Sequence, residues 1–132
     1  MKILPAAALL MSAGMTLGAF AQGIDGTKAL TCAPQEAHDC LPGKACGKAK
    51  AENTDAPKSV SIDFAGKVLV TPYRTQPLAI ANVVTTDEQL IAQGTDRSAA
   101  WTAVVFRSDG RITFTVADKK GAYVLFGKCT VK

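Results

Sequence analysis

An all-β fold, a small antiparallel up-and-down barrel stapled by disulfides, is what this sequence predicts, and three observations predict it. Short runs after Ser59 alternate apolar and polar residues with the period of half-buried strands. Turn-forming Gly, Pro and Asp residues separate those runs at short intervals. Four cysteines divide into an early cluster, Cys32, Cys40 and Cys46, and a lone Cys129 in the last strand-like run.

The chain opens "MKILPAAALLMSAGMTLGAFAQG". Lys2 supplies a positive start, Ile3–Phe20 is uncharged and apolar, and Ala19 and Ala21 frame Phe20 as small-x-small. This is the pattern of a secretory leader cleaved after Ala21. Rich in Ala, Gly and Ser and interrupted by Pro5, the run is short for a membrane span. Cleavage leaves a mature chain starting at Gln22 with no span of its own. The periplasm is its expected address, because a short Lys-bearing leader suits a bacterium. No cysteine adjoins the cleavage site to carry a lipid.

Removing residues 1–21 leaves 111 of the 132 residues, enough for one domain with a modest core. The mature part holds 14 Lys and Arg against 11 Asp and Glu. That mild excess is spread out, apart from a looser run at Lys44, Lys48, Lys50 and Lys58. Nucleic-acid binding asks for a denser patch interleaved with aromatics. Weak attraction to anionic envelope polymers is consistent with the charge.

Residues 22–59 read as a cysteine-bearing, turn-rich segment, with "KALTC" as a first strand and "GKAKAENTDAPKS" as a polar loop. Residues 60–132 read as a meander that forms one domain with it. In "VSIDF", Val60, Ile62 and Phe64 alternate with Ser61 and Asp63; Gly66 permits a turn, and "KVLVT" follows. "PLAIANVV" and "EQLIAQG" are the next two strands, parted by "TTDE". "AAWTAVVF" and "ITFTVA" flank "RSDGR", where Asp109-Gly110 is a hairpin signal with Gly110 free to take positive φ. "DKKG", with Gly121 as its permissive residue, turns into the final "AYVLFGKCTV". No helical stripe interrupts this order. Closing the meander into a barrel removes its exposed edges; a β-sandwich is the alternative way of covering them.

Closure makes the first and last strands neighbours, which places Cys32 opposite Cys129. A bridge there spans 97 residues, and the chain-entropy argument gives it roughly 4.7 kcal/mol. Cys40 and Cys46 then pair across "CLPGKAC", with Pro42-Gly43 as the turn. Four cysteines allow three pairings, and Cys32–Cys40 with Cys46–Cys129 is the next candidate. An even count in an exported chain favours disulfides over metal. His38, two residues before Cys40, keeps open a second reading, metal or small-molecule handling at the cysteine loop.

No catalytic set is evident. His38 is the only histidine, no Gly-x-Ser-x-Gly elbow or phosphate-binding glycine loop occurs, and no cofactor is implied. Trp101 opens "WTAVVF" and reads as core, sharing a face with Ala103 and Val105. Tyr73, Arg74, Arg97, Arg107 and Arg111 are the candidate contact residues for an unknown protein or small ligand of the cell envelope.

The end of the chain, Phe126-Gly127-Lys128-Cys129, with the leader and the early cysteine cluster, resembles small exported proteobacterial proteins of uncharacterised function. That resemblance implies no activity. More loosely, the layout is similar to periplasmic lysozyme inhibitors of the compact barrel type, which implies fold and compartment and makes hydrolase inhibition a candidate role. The expectation is a non-catalytic exported binding or structural module.

Intact-mass measurement of the exported protein is expected to give a chain that starts at Gln22. A mass that retains residues 1–21 in a membrane fraction contradicts the leader reading.

Overall fold

A computed structural model describes residues 23–49, 59–72 and 74–132. Ten strands follow one another: β1 (Leu30–Cys40), β2 (Gly47–Lys48), β3 (Val60–Asp63), β4 (Val68–Val70), β5 (Leu78–Ala79), β6 (Asn82–Thr85), β7 (Gln89–Asp96), β8 (Ala99–Phe106), β9 (Arg111–Asp118) and β10 (Gly121–Val131). They form one antiparallel sheet in the order β5-β4-β3-β1-β10-β9-β8-β7-β6, with β2 attached to β1. The fold is an up-and-down barrel, not the alternative sandwich.

The two ends of that order are consecutive in the chain. Ile80 donates its amide to the Lys67 carbonyl beside β4, and Ala81 donates to the Gln93 carbonyl on β7. The segment expected as one strand, "PLAIANVV", is therefore two short ones that change partner at Ile80-Ala81. A sheet that curls back on itself requires such a change, because its closing strand must face both ends. With β2 set aside and β5 and β6 counted as that one closing strand, each strand pairs with its sequence neighbours, and β1 with β10 completes the circle.

β1 continues well past "KALTC", to Cys40. Between Pro34 and Glu36 its register against β10 slips, with Gln35 left over. Such a bulge shifts the alternation by one, and Pro34 lacks an N–H. Together they hide the period of two in "APQEAHDC" from a pattern reading.

The interior is filled from every strand except β2, by Leu30, Ile62, Leu69, Leu90, Trp101, Val105 and Ile112 among others, with Leu78 of β5 and Val83 of β6 packed against them. Ile24, three residues into the expected mature chain, closes the lower end with 7% of its surface exposed. Arg107 fixes it there: its Nε donates to the Ile24 carbonyl at 2.9 Å and its Nη1 to the Thr86 carbonyl at 2.8 Å.

Cys32 and Cys129 are directly opposed on β1 and β10, bonded, and buried in the core. The Cys129 amide points the other way, to the Gly110 carbonyl. The cysteines thus occupy a non-hydrogen-bonded pair, the closer kind, with Cα atoms 3.9 Å apart. Gly110 takes φ 74°, as its hairpin demands, and any Cβ there would meet the Cys129 carbonyl oxygen at 2.3 Å. Cys40 and Cys46 form the second bridge across a turn in which Gly43 takes φ 71° and the Lys44 amide bonds to the Leu41 carbonyl.

Two turns use residues other than those their glycines suggest. In the β3–β4 loop the left-handed residue is Lys67, at φ 54°; Gly66 instead donates its amide to Asp63 Oδ1 at 2.7 Å. At the β9–β10 turn Asp118 Oδ1 accepts the amides of Lys120 and Gly121. Gly121 is nearly extended, and its missing side chain leaves room for the Cys40 carbonyl.

Cys129→Ser is expected to lower stability to denaturant by about 2–5 kcal/mol, the usual cost of losing a native bridge in a small exported domain. In the β3–β4 loop, Lys67→Gly is expected to raise stability by up to about 1 kcal/mol by relieving a left-handed non-glycine. Gly66→Ala is expected to lower it, because its Cβ would stand 2.5 Å from Asp63 Oδ2. The two urea midpoints moving the same way would contradict this account of the turn.

Candidate functional site

The barrel has an upper end, with residues 41–49, 71–72, 74–77, 97–98 and 119–120, and a lower end closed by Ile24. The candidate contact residues divide between them. Arg74 Nε donates to Asp96 at the upper end. Arg97 is exposed at the tip of the β7–β8 hairpin with φ 56°. Arg107 and Arg111 belong to the lower half, and Arg107 is occupied by backbone carbonyls. Arg111 lies over the Phe106 ring, 5.0 Å from its centroid, with its Nε on Asp109 Oδ2 at 2.6 Å. Tyr73 lies outside the described residues. These side chains do not converge on one site.

The other sequence candidates are also separated. His38 sits on the outer face of β1, its Nε2 2.7 Å from Glu36 Oε1 and its ring edge-on to Phe126. All four cysteines are bridged, so none offers a thiolate to a metal. Among the described residues no three His, Cys, Asp or Glu side chains come together as a metal site. Trp101 is core: it stacks on Phe114 at 5.8 Å and lies across Gly94, where a Cβ would meet its Cζ2 at 2.5 Å. Among the described residues its buried Nε1 has no hydrogen-bond partner. Two clefts open at the lower end, the larger about 460 Å³, beside Ile24, Asp87, Glu88 and Arg107. His38 lies on the wall of the upper half, away from both.

What the fold does assemble is an outer wall. Side chains alternate across a sheet, so register decides which of them share its outside. Phe126, Thr113, Val104, Ile91 and Val84 are directly opposed from strand to strand across β10, β9, β8, β7 and β6. Phe126 is 43% exposed and Val84 41%. Val124, Thr115, Thr102, Gln93 and Asn82 form the next row above, and Lys128 and Arg111 pair below. Among the described residues, the outward positions of these five strands carry no carboxylate; their only charges are Lys128 and Arg111. Acids stand instead at the ends, at Asp87, Glu88 and Asp109 below and Asp96 and Asp118 above.

The row was not anticipated as a site. Its signal is nonetheless in the sequence: "AVVF", "NVVT" and "YVLF" are apolar at consecutive positions, too much for a strand with one buried face.

Two carboxylates at the lower end, Asp109 and Asp25, have lowered pKa values. Backbone and side-chain hydrogen bonds from Arg111 lower the pKa of Asp109, and the hydroxyl and amide of Thr27 lower that of Asp25. A carboxylate lowered in this way stabilises the fold above its unfolded-state value and loses that contribution as pH falls through the folded value.

No family model, no curated protein and no solved structure matches this chain.

Asp109→Asn is expected to flatten the acid limb of the stability–pH curve below the ordinary aspartate value of 3.8, with urea midpoints as the readout. Gly94→Ala, which drives a Cβ into Trp101, is expected to cost about 1–3 kcal/mol or more. Trp101→Phe gives up indole volume but no hydrogen bond, so its cost is expected to fall below that of Gly94→Ala. The reverse order would mean that Nε1 has a partner.

Proposed function

We propose that this chain is a non-catalytic binding module of the cell envelope, exported to the periplasm and freed of residues 1–21. It holds its partner through the outer wall of β8–β10. The observation that carries this reading is the outer wall of β8–β10, whose strands carry no outward carboxylate: exposed Phe126 stands on it, with Arg111 and Lys128 along the lower margin and Glu36 of β1 facing Phe126 at one side. Exposed aromatic surface rimmed by polar groups is the usual composition of a contact site. Lys128 and the Asp109-paired Arg111 give this margin two cations to one acid, which favours a partner that is neutral or anionic there. The row follows the curve of the barrel over half its strands. A flat partner therefore meets the β8–β10 part, Phe126, Val104, Phe106 and Arg111, while Val84 faces another direction.

Co-sedimentation with a washed cell-envelope fraction at low and high salt tests this. The wild-type mature protein is expected to be retained at low salt and released as salt rises. Phe126→Asp, at an exposed position that leaves the core intact, and Lys128→Glu are each expected to reduce retention several-fold. Equal retention of both variants, with unchanged circular dichroism, would contradict the wall as the contact site.

A further inference from the structure

The two disulfides differ in a way that bears on chemistry. Cys32 and Cys129 are 2% and 3% exposed, inside the barrel. Cys46 is exposed and Cys40 half-buried, and every residue from Leu41 to Lys48 is exposed, Leu41 at 50%. Thiol–disulfide exchange needs a thiolate to reach a sulfur, so access separates the two bonds. Opening Cys40–Cys46 removes nothing from the core, because neither sulfur belongs to it.

The structure also shows what the exposed bond holds. β3 covers the free edge of β1 only along Leu30–Cys32. Higher on the same edge, β2 pairs Lys48 with His38 and Gly47 with Asp39, and the Ala49 amide bonds to the Ala37 carbonyl. A two-residue strand has almost no stability of its own. Cys40–Cys46 lies immediately beyond the Asp39–Gly47 pair, at the neck of this hairpin. Between the two covered stretches stand Pro34, which has no amide to offer, and the register slip.

We propose that Cys40–Cys46 is a selectively reducible bond, and that its reduction by an external dithiol releases β2 and uncovers the edge of β1 at Ala37–Asp39 while the barrel stays folded. A thiolate of the dithiol attacks Sγ of Cys46. The Sγ–Sγ bond breaks and its electron pair leaves on Cys40, which takes up a proton. The second thiol of the reductant gives up its proton and displaces Cys46 from the mixed disulfide. The dithiol ends as a disulfide, and the protein gains two thiols. Oxidation by the reverse steps restores the clamp. The freed edge lies beside Phe126, across the His38 ring.

The test uses the oxidised mature protein in dithiothreitol without denaturant. Samples are quenched with iodoacetamide at intervals and peptide-mapped, with near-ultraviolet circular dichroism of Trp101 followed in parallel. Cys40 and Cys46 are expected to alkylate at least about ten-fold faster than Cys32 and Cys129, as their access dictates. The Trp101 signal is expected to stay constant while the Ala49 amide loses its protection from hydrogen exchange. Equal alkylation rates, or labelling of Cys40 and Cys46 only as the Trp101 signal collapses, would overturn selective reduction. The Cys40→Ser/Cys46→Ser double variant isolates the second claim. Its Ala49 amide is expected to exchange as fast as in the reduced protein, and wild-type protection there would overturn the clamp.

Discussion

The pairing of β1 with β10 is the contact on which the other features of this molecule depend. It joins the two ends of the strand sequence, so every other strand finds its neighbour locally and only this seam is remote. Ten residue pairs run along it, and Cys32–Cys129 crosses it inside the core. A seam of that kind costs the closure of nearly the whole chain before any of its contacts form. A covalent link there lowers that entropy in the unfolded state, which is where a small core needs help. This is why the last cysteine stands apart from the other three.

Closure then dictates smaller features. Leu78–Thr85 must face β4 with its first half and β7 with its second, so its pairing changes at Ile80-Ala81. Trp101 fills the barrel across β7, and Gly94 is what lets it lie there. The lower end would be an apolar opening without Ile24, and Arg107 spends its guanidinium on holding that plug. The upper half of β1 extends beyond β3, which leaves an edge that the barrel cannot remove. β2, Pro34 and the bulge attend to it locally. The exposed disulfide belongs to that local solution, and the buried one belongs to closure.

Much of this was legible in the sequence because it rests on local rules. Period-two alternation identified "VSIDF" and "ITFTV", and Asp109-Gly110 marked its hairpin. The argument that a closed meander makes its end strands adjacent placed Cys32 opposite Cys129. What stayed hidden depends on register or on neighbours. The outer continuation of β1 was masked by Pro34 and the bulge. The left-handed position of the β3–β4 turn fell on Lys67, because Asp63 claims the Gly66 amide. The candidate arginines looked like one group in a string of letters, but the barrel sends Arg74 and Arg97 to one end and Arg107 to the other. The wall around Phe126 exists only once five strands are set in register. The consecutive apolar residues of "AVVF", "NVVT" and "YVLF" were its trace.

Hydrogen exchange at three amides tests closure most directly. The amides of Ile80 and Ala81 hold the closing strand to its two sides, and that of Lys132 bonds to the Ala29 carbonyl at the foot of the β1–β10 seam. In a closed barrel Ile80 and Ala81 exchange nearly as slowly as the mid-strand amides of β8, and Lys132 is protected although it is the last residue. Fast exchange at Ile80 and Ala81 while β8 remains protected would mean an open, curled sheet, and would contradict closure as the constraint that organises this protein.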